Sequence, residues 1–234
     1  MKRNLIEVKR GKWQDLIWSL IFDLIKLLVI IYNEFFNKKI MNHLNILEQD
    51  RGFTDCLDVL NENWDFTWTI KRWQDVHECW DWHWALHLWI FNEENKILIR
   101  KRPQNKSVNP LKWDVGCWWH IFPWDNGLET AVKKALFELG INIAEKDINF
   151  LFVLNNKSIF NNWTYIDNEI FYVFSINIDT NDTKLNPKKE YMEDFRFIDI
   201  EELKNIIDNK DEDFIIRQTE LDELIKYLKK SKKS

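Results

Sequence analysis

The chain has 234 residues, 45% hydrophobic and 30% charged, which is enough for one domain of about 150–200 residues plus an extension and excludes disordered and collagen-like chains. Its net charge of −5 argues against binding driven by overall charge, and no nucleic-acid polymer is expected as partner. Three cysteines (Cys56, Cys79, Cys117) lack CxxC spacing; they form neither a disulfide framework nor a thiolate metal knot, so a reducing cytoplasm is the default.

Two residue types are out of proportion. Average usage would give about 16 glycines, and the chain has 5. It has 14 tryptophans, 11 of them between Trp64 and Trp124.

Residues 1–50 differ in texture from the rest. Leu16 to Tyr32 is a 17-residue apolar stretch interrupted by Asp23 and Lys26. It reads as an apolar helix at 16–32, packed on the domain or lying on a membrane. A true span is at the lower limit of length and carries two central charges. A native start at Met41 is the remaining reading. The domain proper is placed at 51–234, and the basic tail from Tyr227 reads as solvated.

From Cys56 onward, strands and turns alternate. Residues 57–60 read as a short strand, followed by a turn. Residues 83–91 read as a buried strand and 96–102 as its antiparallel partner after a turn at 92–95. A loop ends at Pro110, and one strand is expected from Trp113 to about Ile121. Residues 126–140 are the best helix. Asn126 is its N-cap with Glu129 three residues on, and Gly140 stands at its exit. Leu128, Ala131, Val132, Ala135, Leu136 and Leu139 form its apolar stripe. Strands follow at 148–154, 169–177 and 194–200, with helices at 201–209 and about 214–230. The pattern implies a mixed α/β sandwich.

Polar residues gather around these elements: His77, His83, Arg102, Lys106, His120, Lys134, Glu138, Asp167 and Glu169. Imidazoles with carboxylates suit a divalent ion with mixed nitrogen and oxygen ligands. The basic groups suit an anion such as diphosphate. Each residue alone also fits a plain structural role: a satisfied core histidine, a surface Lys134/Glu138 pair, or a turn at Asp167–Glu169.

From Cys56 to Asp208 the chain resembles the Nudix superfamily, above all its isopentenyl-diphosphate-isomerase-like branch. The residues that carry this are LDVLNEN, DVHECWDWHWALHLWIFN, ILIRKRPQNKSVNPLKWDVGCWWH, the helix ending FELGI, and YIDNEIFYVF. The resemblance implies a Nudix fold, a mixed β-sheet sandwiched between α-helices, here with the N-terminal extension. It also implies Mg²⁺ or Mn²⁺ and a diphosphate-containing small molecule as substrate.

Laid on this chain, the hydrolase signature puts its first Gly on Trp119, its first Glu on Asp125, its Arg-Glu on Lys133-Lys134 and its Glu-Glu on Phe137-Glu138. Two helix carboxylates of the hydrolases are therefore absent. The isomerase pattern matches His83, His120, Glu138, Asp167 and Glu169 as metal or acid/base residues, with His77 one residue off its place. It matches Arg102, Lys106 and Lys134 as diphosphate contacts. The isomerase reaction needs an opposed Cys and Glu. Glu169 matches the Glu. The Cys position is Trp118, and Cys117, the candidate, falls one residue early, a slip that turns a strand side chain to the other face.

The expected activity is metal-dependent hydrolysis of a diphosphate compound. Isopentenyl-diphosphate isomerisation is the alternative, and a catalytically inactive binding module the second.

The resemblance also implies glycine at Trp64, Trp68, Trp80, Trp119 and Trp124, and Arg at Trp84, whereas Trp82, Trp89 and Trp113 fall on aromatic positions. Either some of these codons are read as glycine in the native host, or the gene is decayed, or the tryptophans line a pocket for a prenyl or purine group.

Overall fold

The computed structural model describes residues 55–160 and 165–231. The apolar stretch 16–32 and the 50/51 boundary lie outside them. Among the described residues, no helix is long and apolar enough to cross a membrane.

The described residues open with a hairpin of β1 (Cys56–Leu60) and β2 (Phe66–Arg72), followed by the short helix α1 (Trp73–Glu78). The central strand β3 (Trp82–Phe91) pairs in parallel with β8 (Tyr165–Asn177) from Trp82↔Asn168 to Phe91↔Asn177. It also pairs antiparallel with β6 (Cys117–His120), from Ala85↔His120 to Leu88↔Cys117. Strands β4 (Ile97–Lys101), β5 (Trp113–Val115) and β9 (Asp194–Ile198) extend one side, and β7 (Asn149–Phe160) lies outside β8.

Alternation along β3 builds two cores. Leu86, Leu88 and Ile90 pack with Ala131, Ala135 and Leu139 of the helical segment after β6. Ala85, Trp89 and Phe91 pack with Leu203 and Ile207 of α3 (Ile200–Asp208) and with Leu221 and Leu224 of α4 (Gln218–Ser231). The mixed sheet is thus sandwiched between helices, as the sequence implies.

Several boundaries differ from the sequence expectation. The strand expected over 113–121 is broken at Gly116, where a Cβ would come 2.9 Å from the Leu98 carbonyl oxygen. Asp167, Asn168 and Glu169 are strand residues of β8, not a turn, and all three are buried. The last helix begins at Gln218 because the preceding segment runs along β5, with the Ile215 N–H donating to the Trp113 carbonyl at 2.9 Å.

The helix expected over 126–140 has two parts. Its regular part, α2, runs Gly127–Lys134, and the Asn126 side chain accepts from the Glu129 N–H at 2.9 Å. Ala135–Leu139 then widens into a π turn that ends at Gly140 with φ 71°. The wider turn carries an extra residue and shifts the 3.6-residue phase. Leu136, expected in the apolar stripe, is therefore 54% exposed, while Glu138 is buried.

Deep in the second core, the Glu220 carboxylate of α4 lies 2.8 Å from His87 Nδ1 and accepts from Trp89 Nε1–H at 2.8 Å. All three residues are essentially inaccessible, so α4 is bonded to β3 through a polar contact inside an apolar layer.

Candidate active site

Four elements converge at one end of the sheet. α1 supplies His77, β3 His83, β6 His120 and β8 Asp167, and one donor atom from each lies within 4.8 Å of the others. His77 Nε2 is 3.3 Å and His83 Nε2 3.4 Å from Asp167 Oδ1. Behind the rings, His77 Nδ1 lies 2.6 Å from the Trp73 carbonyl and His83 Nδ1 3.2 Å from the Asp81 carbonyl. A carbonyl only accepts, so each Nδ1 carries its proton and each Nε2 points inward.

Neutral rings in that tautomer would face Asp167 lone pair to lone pair. The arrangement calls for a cation, either a proton or a metal ion. Electrostatics agree. Burial alone would push His83 down, but the Asp167 and Glu169 carboxylates outweigh it and hold the imidazole above its ordinary value. Burial, with His83 alongside, keeps His120 well below the ordinary imidazole value. Burial opposes ionisation of Asp167, yet hydrogen bonds from His77 and His83 hold its carboxyl far below the usual range. Three imidazole nitrogens and one carboxylate oxygen form a donor set that fits a first-row divalent ion such as Mn²⁺ better than Mg²⁺, which prefers oxygen.

Beside the cluster lies a cavity of about 260 Å³ that shares His120 with it. Its polar lining includes Arg100, Arg102, Lys106, Lys134 and Glu138. Lys134 Nζ sits 5.1 Å from the Phe122 ring centre. Desolvation of the Lys106 ammonium, with Arg100 and Arg102 nearby, holds its pKa below the ordinary lysine value. Burial raises the Glu138 carboxyl above its usual value, although Arg100 Nη1, 3.5 Å away, opposes the shift. A second chamber of about 400 Å³ adjoins the first across Trp118 and Arg102. Its polar lining includes Asp114, Asn156, Ser158, Asp167 and Arg217.

The expected site residues therefore separate into groups. His77, His83, His120 and Asp167 come together. Glu138 stands apart from them: α2 and the π turn cover the other face of the sheet, and Glu138 meets Arg100 instead. Glu169 is also outside the four-donor group. It lies 3.8 Å from His120 and accepts from Trp118 Nε1–H and from Arg217 Nη2–H, each at 3.1 Å. Burial and the neighbouring Asp167 raise its carboxyl above the ordinary value.

Cys117 is a correction. On β6 the side chains alternate, so Trp118 and His120 face the cluster while Cys117 packs into the core with Leu88 and Ala131. Burial pushes its thiol well above the usual cysteine value, leaving no reactive thiolate.

Arg100 and Arg217 escape the sequence reading. Arg100 has a signal, since it stands two residues after the inward Leu98 on β4 and so shares its face. Arg217 lies in the segment that joins α3 to α4, with no pattern around it.

No protein-family model matches the chain. Nudix hydrolase 3 of Arabidopsis thaliana is 27% identical over 167 residues, which cover 68% of this chain and 21% of that protein, so the chain spans about a fifth of that relative. Isopentenyl-diphosphate Delta-isomerase 1 of Photorhabdus laumondii is 32% identical over 124 residues, covering 53% of this chain and 68% of that protein. The chain belongs to the Nudix superfamily. The crystal structure of a MutT protein from Methanosarcina mazei superimposes on this Nudix chain with a TM-score of 0.50 at 15% identity, over 64% of this chain and 96% of that one, a likeness of fold alone.

Proposed function

We propose that this Nudix protein is a metal-dependent hydrolase of a diphosphate-containing small molecule. The supporting observation is that one residue, His120, belongs both to the four-donor cluster and to the cation-lined cavity. A polyanion held in that cavity would place its phosphoryl groups next to the ion site. When bound there, a divalent ion supplies Lewis acidity toward a phosphoryl oxygen.

The chain's own groups do the rest. Lys106, Lys134 and Arg102 hold the phosphates by charge-assisted hydrogen bonds. Arg100 keeps Glu138 oriented toward the cavity. Glu138 is the cavity's one carboxylate among the described residues, and burial, by raising its pKa, makes it a stronger base toward the attacking water than an ordinary carboxylate. The new bond joins the water oxygen to phosphorus as the P–O bond of the leaving group breaks.

Isomerisation is the second reading, favoured by the buried, raised carboxyl of Glu169. Against it, the Trp118 indole occupies the face on which a partner thiol would be needed. The adjoining polar chamber also suits a polar leaving group better than a prenyl tail.

The test is product analysis with Mn²⁺ or Mg²⁺ across nucleoside diphosphate compounds and isopentenyl diphosphate. Cleavage that falls at least about 100-fold in Glu138→Gln supports hydrolysis. Alkene migration with intact diphosphate would replace it with the isomerase reading, and binding without turnover would make the protein a binding module.

A further inference from the structure

Four tryptophans hold left-handed backbone: Trp64 (φ 71°), Trp68 (φ 60°), Trp80 (φ 64°) and Trp124 (φ 71°). Among the described residues they make up half of the eight non-glycine positions with positive φ, and two of the other four are asparagine, which tolerates that region. For a residue with a large side chain the conformation is an outlier, because Cβ is driven toward the following carbonyl oxygen.

Each of the four stands in a different motif, and every one of these motifs calls for glycine. Trp64 ends the β1–β2 turn: its N–H donates to the Asn61 carbonyl at 3.0 Å and the Asn61 N–H to the Asp65 carbonyl at 2.9 Å. This is the hairpin loop whose left-handed residue is normally glycine. Trp68 lies in the bulge of β2, where Val59 pairs with Thr69 but Leu60 with Phe66. Trp80 is the left-handed residue just past α1. The Asp81 N–H reaches back to the Val76 carbonyl at 2.9 Å, the six-to-one bond of a Schellman cap. Trp124 follows Pro123 in the turn closed by the Asp125 N–H on the Phe122 carbonyl at 3.1 Å; proline then a left-handed residue is the type II pattern.

The indoles return little for this strain, being 40%, 76%, 52% and 44% exposed in chain order. Other tryptophans are built in. Trp89 is fully buried and bonded to Glu220, and Trp113 stacks near Phe214 with the Arg196 guanidinium 4.8 Å from its ring centre.

We propose that positions 64, 68, 80 and 124 carry glycine in the protein as its own cells make it. The four would share a reassigned stop codon that these cells read as glycine and that other lineages read as tryptophan. Positions 89 and 113 use the ordinary tryptophan codon. The proposal bears on the site, because the turn at Trp124 leads through Asp125 into the Asn126 cap of the helix that carries Glu138. It stands independently of the hydrolase reading.

Peptide mass spectrometry of the protein from its source cells tests it. Glycine at all four positions and tryptophan at 89 and 113 is the expected result, and tryptophan at the four overturns it. The gene offers a second check: one codon at the four and another at 89 and 113 is expected, and a single codon at all six refutes the idea. In recombinant protein, the combined Trp64→Gly, Trp68→Gly, Trp80→Gly and Trp124→Gly chain melts about 4–16 °C above the all-tryptophan chain, whereas Trp113→Gly melts lower. No gain from the fourfold change would remove the strain on which the inference rests.

Discussion

Replacing Glu220 by leucine strips the second core of the carboxylate that accepts from His87 and Trp89. Each buried donor left without its acceptor costs about 1–3 kcal/mol, so the two together cost about 2–6 kcal/mol. The added apolar side chain returns about 1–2 kcal/mol of that, leaving a net loss of about 1–4 kcal/mol. For a domain of this size that is a fall in Tm of about 2–16 °C. Urea unfolding followed by tryptophan fluorescence reads it directly. Glu220→Gln keeps one acceptor oxygen and loses less, about 1 kcal/mol. The double variant His87→Leu/Glu220→Leu, with the polar pair replaced as a unit, recovers part of the single loss. Because α4 starts one residue after Arg217, which bonds Glu169, Glu220→Leu also lowers turnover at temperatures where it is still folded. A Glu220→Leu protein within about 0.5 kcal/mol of the parent, or strict additivity in the double variant, would refute the account of this buried contact.

Further outcomes follow from the site. Mn²⁺ at 100 times its dissociation constant stabilises the parent by about 2.7 kcal/mol; EDTA reverses this, and calorimetry of His83→Ala or Asp167→Asn shows the gain gone. Lys106→Met and Lys134→Met each raise KM for a diphosphate substrate about tenfold, read from initial rates, because each removes a charge-assisted contact. Asp114 sets an acid limit. Burial would raise its carboxyl, but Arg102 and Arg100 outweigh burial and hold it below its ordinary value. A depressed carboxyl contributes stability that is present above about pH 4 and lost as pH falls further. Urea midpoints of Asp114→Asn are therefore lower at neutral pH and lose less between about pH 4 and pH 2.5.

What the sequence discloses depends on whether burial leaves a period. β3 and β4 are legible because their apolar runs are flanked by turn residues, and the N-cap at Asn126 because capping is local chemistry. β2 is missed because it lies at the sheet edge with most residues exposed, so no inward and outward alternation exists to read. The π turn is invisible because it breaks the very period by which helices are found.

At the site, His77, His83, His120 and Asp167 come from four elements, and no spacing rule joins them. Only the family resemblance groups them, and it also groups Glu138 and Glu169, which the geometry sets apart. The slip at Cys117 was legible, since alternation on a strand is strict.

The π turn has a mechanical meaning of its own. In a regular α-helix each residue advances by 100°, so one extra residue in a turn acts as a rotation of everything after it by roughly a quarter of a circle. The rotation turns Glu138 toward Arg100 and leaves Leu136 and Phe137 on the outside, where the Lys188 ammonium covers the Phe137 ring at 3.5 Å. The helix behaves as a dial: the length of a single turn, rather than any change of residue, decides whether the carboxylate looks into the cavity or out at water.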